Sequence, residues 1–210
     1  MTKSTRDILV ATLAISAAAL SLYFGLANRS PKVNLDTYEV LGAVTAEETL
    51  QLLGSKGQVL AIARDTGPDK NPSVEAELEA FQKTLHKNPA ITLAVERVQL
   101  TPMLMMATGG AVPADQLLKA VHNHPHTGAL VLFFAFPVLG DAELETLKAS
   151  GVKTVVVSSF HPGYDRLLQQ QAIHLVIVPR PEPPPPGAQA PRTRREKFDQ
   201  EFTILRASTN

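Results

Sequence analysis

The chain has no cysteine and no tryptophan, and aromatic residues make up only 5% of its 210 positions. Without cysteine there is no disulfide, no thiolate metal ligand, no cysteine nucleophile and no lipid-modified cysteine anchor. An excess of charge of either sign is missing too, since Lys+Arg and Asp+Glu both number 20. A balanced chain lacks the concentrated basic surface that a nucleic acid would need, so no nucleic-acid partner is expected. No Gly-x-Ser-x-Gly elbow surrounds the serines, and no phosphate-binding loop is present. Gly109-Gly110, within ATGGAVP, follows no strand directly and is too isolated for a dinucleotide fingerprint. No cofactor is expected, and there is no internal repeat.

What the chain does have is a long apolar run at its amino end. Residues 8–27, ILVATLAISAAALSLYFGLA, carry no charge. A hydrocarbon core of roughly 30 Å needs about 20 helical residues to cross it, and the run meets that length. Lys3 and Arg6 precede it while Arg29 and Lys32 follow, so flanking charge barely decides its orientation. The length favours an uncleaved single-pass anchor with residues 1–7 in the cytoplasm. A signal peptide cleaved after Gly25-Leu26-Ala27 is the other reading. Either way the following domain is expected outside the cytoplasm. The anchor reading places it at a bacterial inner membrane, with the lipid bilayer as a partner.

Residues 28–44 read as a juxtamembrane connector. Thr45-Ala-Glu-Glu48 has the form of a capping box opening a helix, which Gly54 and Gly57 would stop. From there apolar strand-like runs alternate with helix-period segments. The strands are expected at 59–63, 91–98, 129–136, 152–157 and 175–178. The helices are expected from Ser73 through Leu85, at 115–123, at 141–150 and at 164–173. Val74, Leu78, Phe81 and Leu85 share one face of the first of these. This rhythm predicts an α/β domain over 45–179. Its fold would be a single doubly wound, parallel five-stranded sheet in flavodoxin-like order 2-1-3-4-5. A Pro-rich and charged linker (180–197) and a C-terminal segment (198–210) follow. Part of that segment, FDQEFTILR, is either an edge strand returning to the sheet, a segment used on a partner, or disordered.

In open parallel sheets ligands bind beyond the carboxyl ends of the strands. Those ends supply Asp65, Ser158, Ser159 and His161 as polar contacts, with Phe136 as a stacking platform for a small polar ligand. The plainer reading makes them ordinary turn residues. Ser158, His161 and Asp165 invite comparison with a hydrolase triad but lack its nucleophile elbow. His122, His124 and His126 form the densest ionisable cluster. Pro125 interrupts it and it sits at the amino edge of the sheet, so a solvated turn is expected there and no metal site. Met103, Met105 and Met106 either close the core beneath a loop or offer an adaptable docking patch, for which Phe198 and Phe202 are further candidates.

The order of pieces over 59–179 resembles the N-terminal lobe of type I periplasmic sugar-binding proteins and lac-repressor-like effector domains. The stretch 114–159, ADQLLKAVHNHPHTGALVLFFAFPVLGDAELETLKASGVKTVVVSS, carries most of the likeness. It runs helix, strand, helix, and then a Gly-Val-x-x-Val-Val-Val strand filled by Gly151, Val152, Val155, Val156 and Val157. The resemblance implies a small sugar as ligand. It also implies a second lobe to close over that sugar, where this chain continues into a Pro-rich tail, so closure would need a surface from another subunit. The leading expectation is therefore a membrane-anchored, non-catalytic accessory subunit with membrane-protein partners. A sugar- or small-molecule-binding sensor or transport component is the alternative, and a hydrolase-like enzyme comes third.

Overall fold

A computed structural model describes residues 16–17, 20–21, 34–54, 56–68, 70–160, 163–182 and 189–207. The chain divides into two units, Met1–Asn34 and Leu35–Asn210. In the first, Ser16, Ala17, Leu20 and Ser21 are helical and exposed. The rest of the expected 8–27 span, including its alternative cleavage site, lies outside the described residues. Among the described residues no helix is long and apolar enough to cross a membrane.

The second unit is an α/β sandwich around one sheet. It begins with α1 (Asp36–Leu53), β1 (Gly57–Asp65), α2 (Pro72–Leu85) and β2 (Ile91–Gln99). Then come α3 (Pro102–Thr108), α4 (Ala114–Asn123), β3 (Thr127–Leu132), α5 (Asp141–Ala149) and β4 (Lys153–Val157). The last elements are α6 (Asp165–Gln169), β5 (Leu175–Pro179), α7 (Arg194–Glu201) and β6 (Phe202–Arg206). The strand order is β2-β1-β3-β4-β5-β6. The first five run parallel in the expected 2-1-3-4-5 order. The sheet is nevertheless six-stranded and mixed rather than five-stranded and parallel, because β6 pairs antiparallel with β5 from Leu175↔Arg206 to Pro179↔Phe202.

Strand alternation sorts the core into two layers. Val59, Ala61 and Ala63 of β1 face α1, α2 and α7 together with Leu78, Phe81 and Phe198. Leu60 and Ile62 face the other way, with Leu117, Leu147 and Leu168 from α4, α5 and α6. Central strands covered on both sides must be apolar throughout, which is why their sequences are so legible.

Several local expectations change. The helix predicted from Thr45 begins instead at Asp36, so the described part of the 28–44 connector is largely helical. Thr45 is no cap: its hydroxyl donates to the Leu41 carbonyl at 2.8 Å inside the helix. Asn71 rather than Ser73 caps α2, accepting from the amides of Ser73 and Val74. β3 stops at Leu132, and Phe133–Phe136 peel away. α6 closes after only Gln169. Within the 180–197 linker, where 183–188 lie outside the described residues, Thr193 caps the helix α7.

Helix α1 packs on α2 with almost no space between backbones. A Cβ built on Gly42 would sit 1.9 Å from the Glu77 carbonyl oxygen. The side-chain Oε1 of the same Glu77 is enclosed without a hydrogen-bond partner, and burial pushes that carboxyl up to about 8.

His174 joins three strands. Its amide donates to the Thr154 carbonyl at 2.8 Å, its Nδ1 accepts from the Thr154 amide at 3.2 Å, and its carbonyl accepts from Ala207. Burial, and then the charge of Lys153, lower its pKa below the ordinary histidine value. The unfolded chain therefore binds this proton more readily than the folded one. The resulting stability is complete above the unfolded value near 6.5 and is lost as pH falls from there towards the lower folded value. Urea denaturation from pH 8 to pH 4 should show the wild type losing stability relative to His174→Gln as pH falls through that window, a difference from which the opposite contribution of the raised Glu77 carboxyl cancels. A wild-type-minus-variant difference that stays constant from pH 8 to pH 4 would contradict this.

Candidate functional site

Parallel strands align their carboxyl ends on one edge, where β1 and β3 diverge. β1 pairs with β2 along its whole length, up to Asp65↔Gln99. Its pairing with β3 ends earlier, at Ile62↔Leu132, after which the Phe133 amide donates to the Ile62 carbonyl. The last residues of β1 therefore have no paired β3 residue beside them, and Ala111 bridges to Ala135 just beyond. This is the topological switch point of the sheet, the place where such folds hold ligands.

Arg64, Asp65 and Thr66 line that end of β1. The Asp65 Oδ1 accepts from the Gly67 amide at 2.9 Å, and the Thr66 hydroxyl accepts from the Asn71 amide at 3.0 Å. These contacts shape the loop and leave further lone pairs on both side chains. On the neighbouring strand Arg97 forms a two-pronged ion pair with Glu75, at 2.7 and 2.8 Å. The Arg97 hydrogen bond holds the Glu75 carboxyl below its usual range, and Glu75 with the nearby Asp65 holds Arg97 above its own.

At the end of β4 the predicted residues separate. Ser158 is buried, and its hydroxyl donates to the Phe160 carbonyl at 2.8 Å, closing a local turn. Ser159 is exposed, and His161 lies outside the described residues. Phe136 is in the core with its amide donating to the Tyr164 hydroxyl at 3.4 Å, so its ring is no open platform. The aromatic available at this edge is Phe160, 45% exposed, which the sequence reading passes over. Asp165 is an exposed residue opening α6, and Ser158 is occupied by its own turn.

The methionines also divide. Met103 and Met106 of α3 are 82% and 86% exposed, and Val138 after β3 is 97% exposed. Met105 instead turns inward, where its sulfur accepts from the Arg64 Nη2 at 2.7 Å. Phe198 is fully buried and Phe202 packs half-buried on the same layer, their rings 5.4 Å apart. The structure places both in the body of the domain.

The three histidines lie at the opposite, amino edge. His124 Nε2 is 2.9 Å from the Glu96 Oε1, while His122 and His126 are exposed. Beside them a groove of about 260 Å³ runs between α4 and α5, lined by His122, His124, Thr127, Thr146 and apolar neighbours. Among the described residues no group of three or more His, Asp or Glu is placed to hold a metal.

No family model and no curated protein matches the chain. Solved structures do share its fold. XylFII superposes with a TM-score of 0.52 at 12% identity, over 81% of this chain and 61% of that one. A LacI transcriptional regulator from Bacteroides fragilis gives 0.51 at 11% identity, over 78% and 50%. The arabinose-binding protein AraP from Geobacillus stearothermophilus gives 0.49 at 19% identity, over 68% and 45%. The chain thus spans between somewhat under half and about three fifths of these structures. Its α/β body, with a mixed six-stranded sheet, resembles one lobe of a periplasmic binding protein.

Proposed function

We propose that Leu35–Asn210 is a non-catalytic binding domain that takes a small sugar at the carboxyl edge of its sheet. The observation that carries this reading is the switch point between β1 and β3. There β1 ends in the hydrogen-bonding residues Arg64, Asp65 and Thr66, past its last pair with β3, on a fold shared with XylFII and a LacI regulator. Ser159 and the exposed Phe160 ring, at the end of β4, supply a hydroxyl and a stacking face along the same edge. Mixed polar and aromatic lining suits a ring with hydroxyls at its rim and C–H groups on its faces. Residues 8–27 would tether the domain to a membrane.

A second reading has the domain assembling with a membrane partner, and the exposure of Met103, Met106 and Val138 favours it. All three follow the carboxyl ends of β2 and β3, the edge at which a partner would meet them. Thermal-shift measurements on the full chain against a monosaccharide panel separate the two. Sugar binding raises the melting temperature with concentration by mass action. A flat response, combined with a larger complex in native extracts that Met103→Ser/Met106→Ser disperses, would replace the sugar reading with assembly.

A further inference from the structure

Arg64 stands apart from its neighbours. Alternation along β1 puts it on the layer of Leu60 and Ile62, past the last β1–β3 pair, where its half-buried side chain lies against Met105 of α3 at the switch point. A guanidinium has five donors and a permanent charge. Yet the partner found for Arg64 is the Met105 thioether, a weak and neutral acceptor. Among the described residues no carboxylate pairs with it. One strand away, Arg97 is satisfied by both oxygens of Glu75. Asp65 does not neutralise Arg64 in the same way: its Oδ1 is bonded to the Gly67 amide, and its field acts on Arg97. A partly desolvated cation left without a counter-charge costs stability, and such costs concentrate where a ligand supplies the missing partner.

The element over this cation is loosely held. Helix α3 has no buried residue, and Met103 and Met106 point to solvent. It ends in Gly109 and Gly110, both left-handed with φ of 61° and 79°, before Ala111 bridges to Ala135 beside β3. Two consecutive glycines in that conformation form a turn that can rearrange without a Cβ penalty. Leu104 and Met105 pack against the core only partly buried, so the thioether contact can give way to a stronger acceptor with repacking confined to α3.

We infer that the sugar taken at this edge is a sugar acid, its carboxylate gripped by the Arg64 guanidinium in place of Met105. This rests on the sugar-binding reading above. The planar fork of arginine matches two carboxylate oxygens, and charge-assisted pairs are the strong class of hydrogen bond. One uncompensated positive charge balances one negative charge. A hexuronate fits that count, whereas a doubly charged sugar phosphate would leave excess negative charge near Asp65.

Isothermal titration of the full chain with matched ligands tests the assignment: galactose and galacturonate, glucose and glucuronate, glucose 6-phosphate, acetate and inorganic phosphate. At least one uronate should bind about 10–100-fold more tightly than its neutral parent, the range of a charge-assisted pair. Arg64→Gln should erase that ratio while melting at or above the wild-type temperature, and Arg64→Lys should keep part of the ratio. Neutral sugars binding as tightly as uronates, untouched by Arg64→Gln, would overturn the acid assignment and leave the sugar reading standing. Acetate and phosphate matching the uronates through Arg64, with no neutral sugar bound, would overturn the sugar reading while retaining the anion site. Heat-free titrations with every ligand, confirmed by unchanged melting temperatures, would overturn the acid assignment outright.

Discussion

Gly42→Ala is expected to cost the domain about 3 kcal/mol or more, a loss far larger than helix propensity would suggest. On propensity alone an interior glycine replaced by alanine should stabilise a helix by up to about 1 kcal/mol. At this position the new methyl carbon would lie 1.9 Å from the Glu77 carbonyl oxygen and 3.1 Å from the Phe81 amide nitrogen. Both are backbone atoms of α2, so no rotamer change relieves the clash. The two helices must separate, and that loosens the contacts of Val40, Leu41 and Val44 with Leu78 and Phe81. Urea denaturation should show a lower midpoint with little change in slope. Gly140→Ser is the matched control: a Cβ built there meets only the Glu143 carboxylate at an ordinary 3.6 Å, and a serine hydroxyl can add a helix cap. It should be neutral or slightly stabilising. A Gly42→Ala variant as stable as wild type would mean that α1 and α2 do not meet at this distance.

The second large effect concerns the carboxylate that fastens the C-terminal elements. Glu48 of α1 is 1% exposed. It accepts from the Arg195 Nη1 at 2.6 Å and from the Arg206 Nη2 at 2.5 Å, so α7 and β6 are both tied to one buried group. Arg194 with Glu47 and Lys197 with Asp36 extend the contact along α1. The Arg195 guanidinium also lies 5.4 Å from the centre of the buried Phe198 ring. Removing both arginines strands a buried charge, which is costlier than never having had one. Arg195→Ala/Arg206→Ala should therefore lose about 2–4 kcal/mol, discounted because both arginines are half-exposed. Adding Glu48→Met to that background should restore most of the loss, since an apolar side chain of similar length needs no partner. If the triple variant is no more stable than the double, the stranded charge is not the cause.

These two features mark where sequence reading runs out. Buried strands are visible because residues such as Val59, Leu60, Ala61 and Ile62 must be apolar on both faces, and α2 and α4 because their buried residues recur at helical spacing. The start of α1 is hidden. Its close approach to α2 requires Gly42, and a glycine among mixed residues reads as a connector. The clasp is hidden for a different reason: Glu48 lies 147 and 158 residues from its two arginines, so α7, charged along most of its length, passes for a linker. At the candidate site the strand ends are legible, but the side chains are not sorted by period alone. Phe136 is drawn into the core because β3 stops at Leu132, and Ser158 is absorbed by its own turn. Arg64 and Phe160 carry a weaker signal, a charged residue and an aromatic immediately beyond apolar runs.

The claim that the carboxyl edge is the binding face is tested most directly by following backbone amide resonances of the full, isotope-labelled chain while the tightest sugar of the panel is added. Saturable shifts should gather at Arg64, Asp65, Thr66, Ser159 and Phe160, with smaller ones along α3. Shifts gathered instead at His122, His124, Thr127 and Thr146, with the β1 end unmoved, would put the ligand in the opposite groove and contradict the assignment.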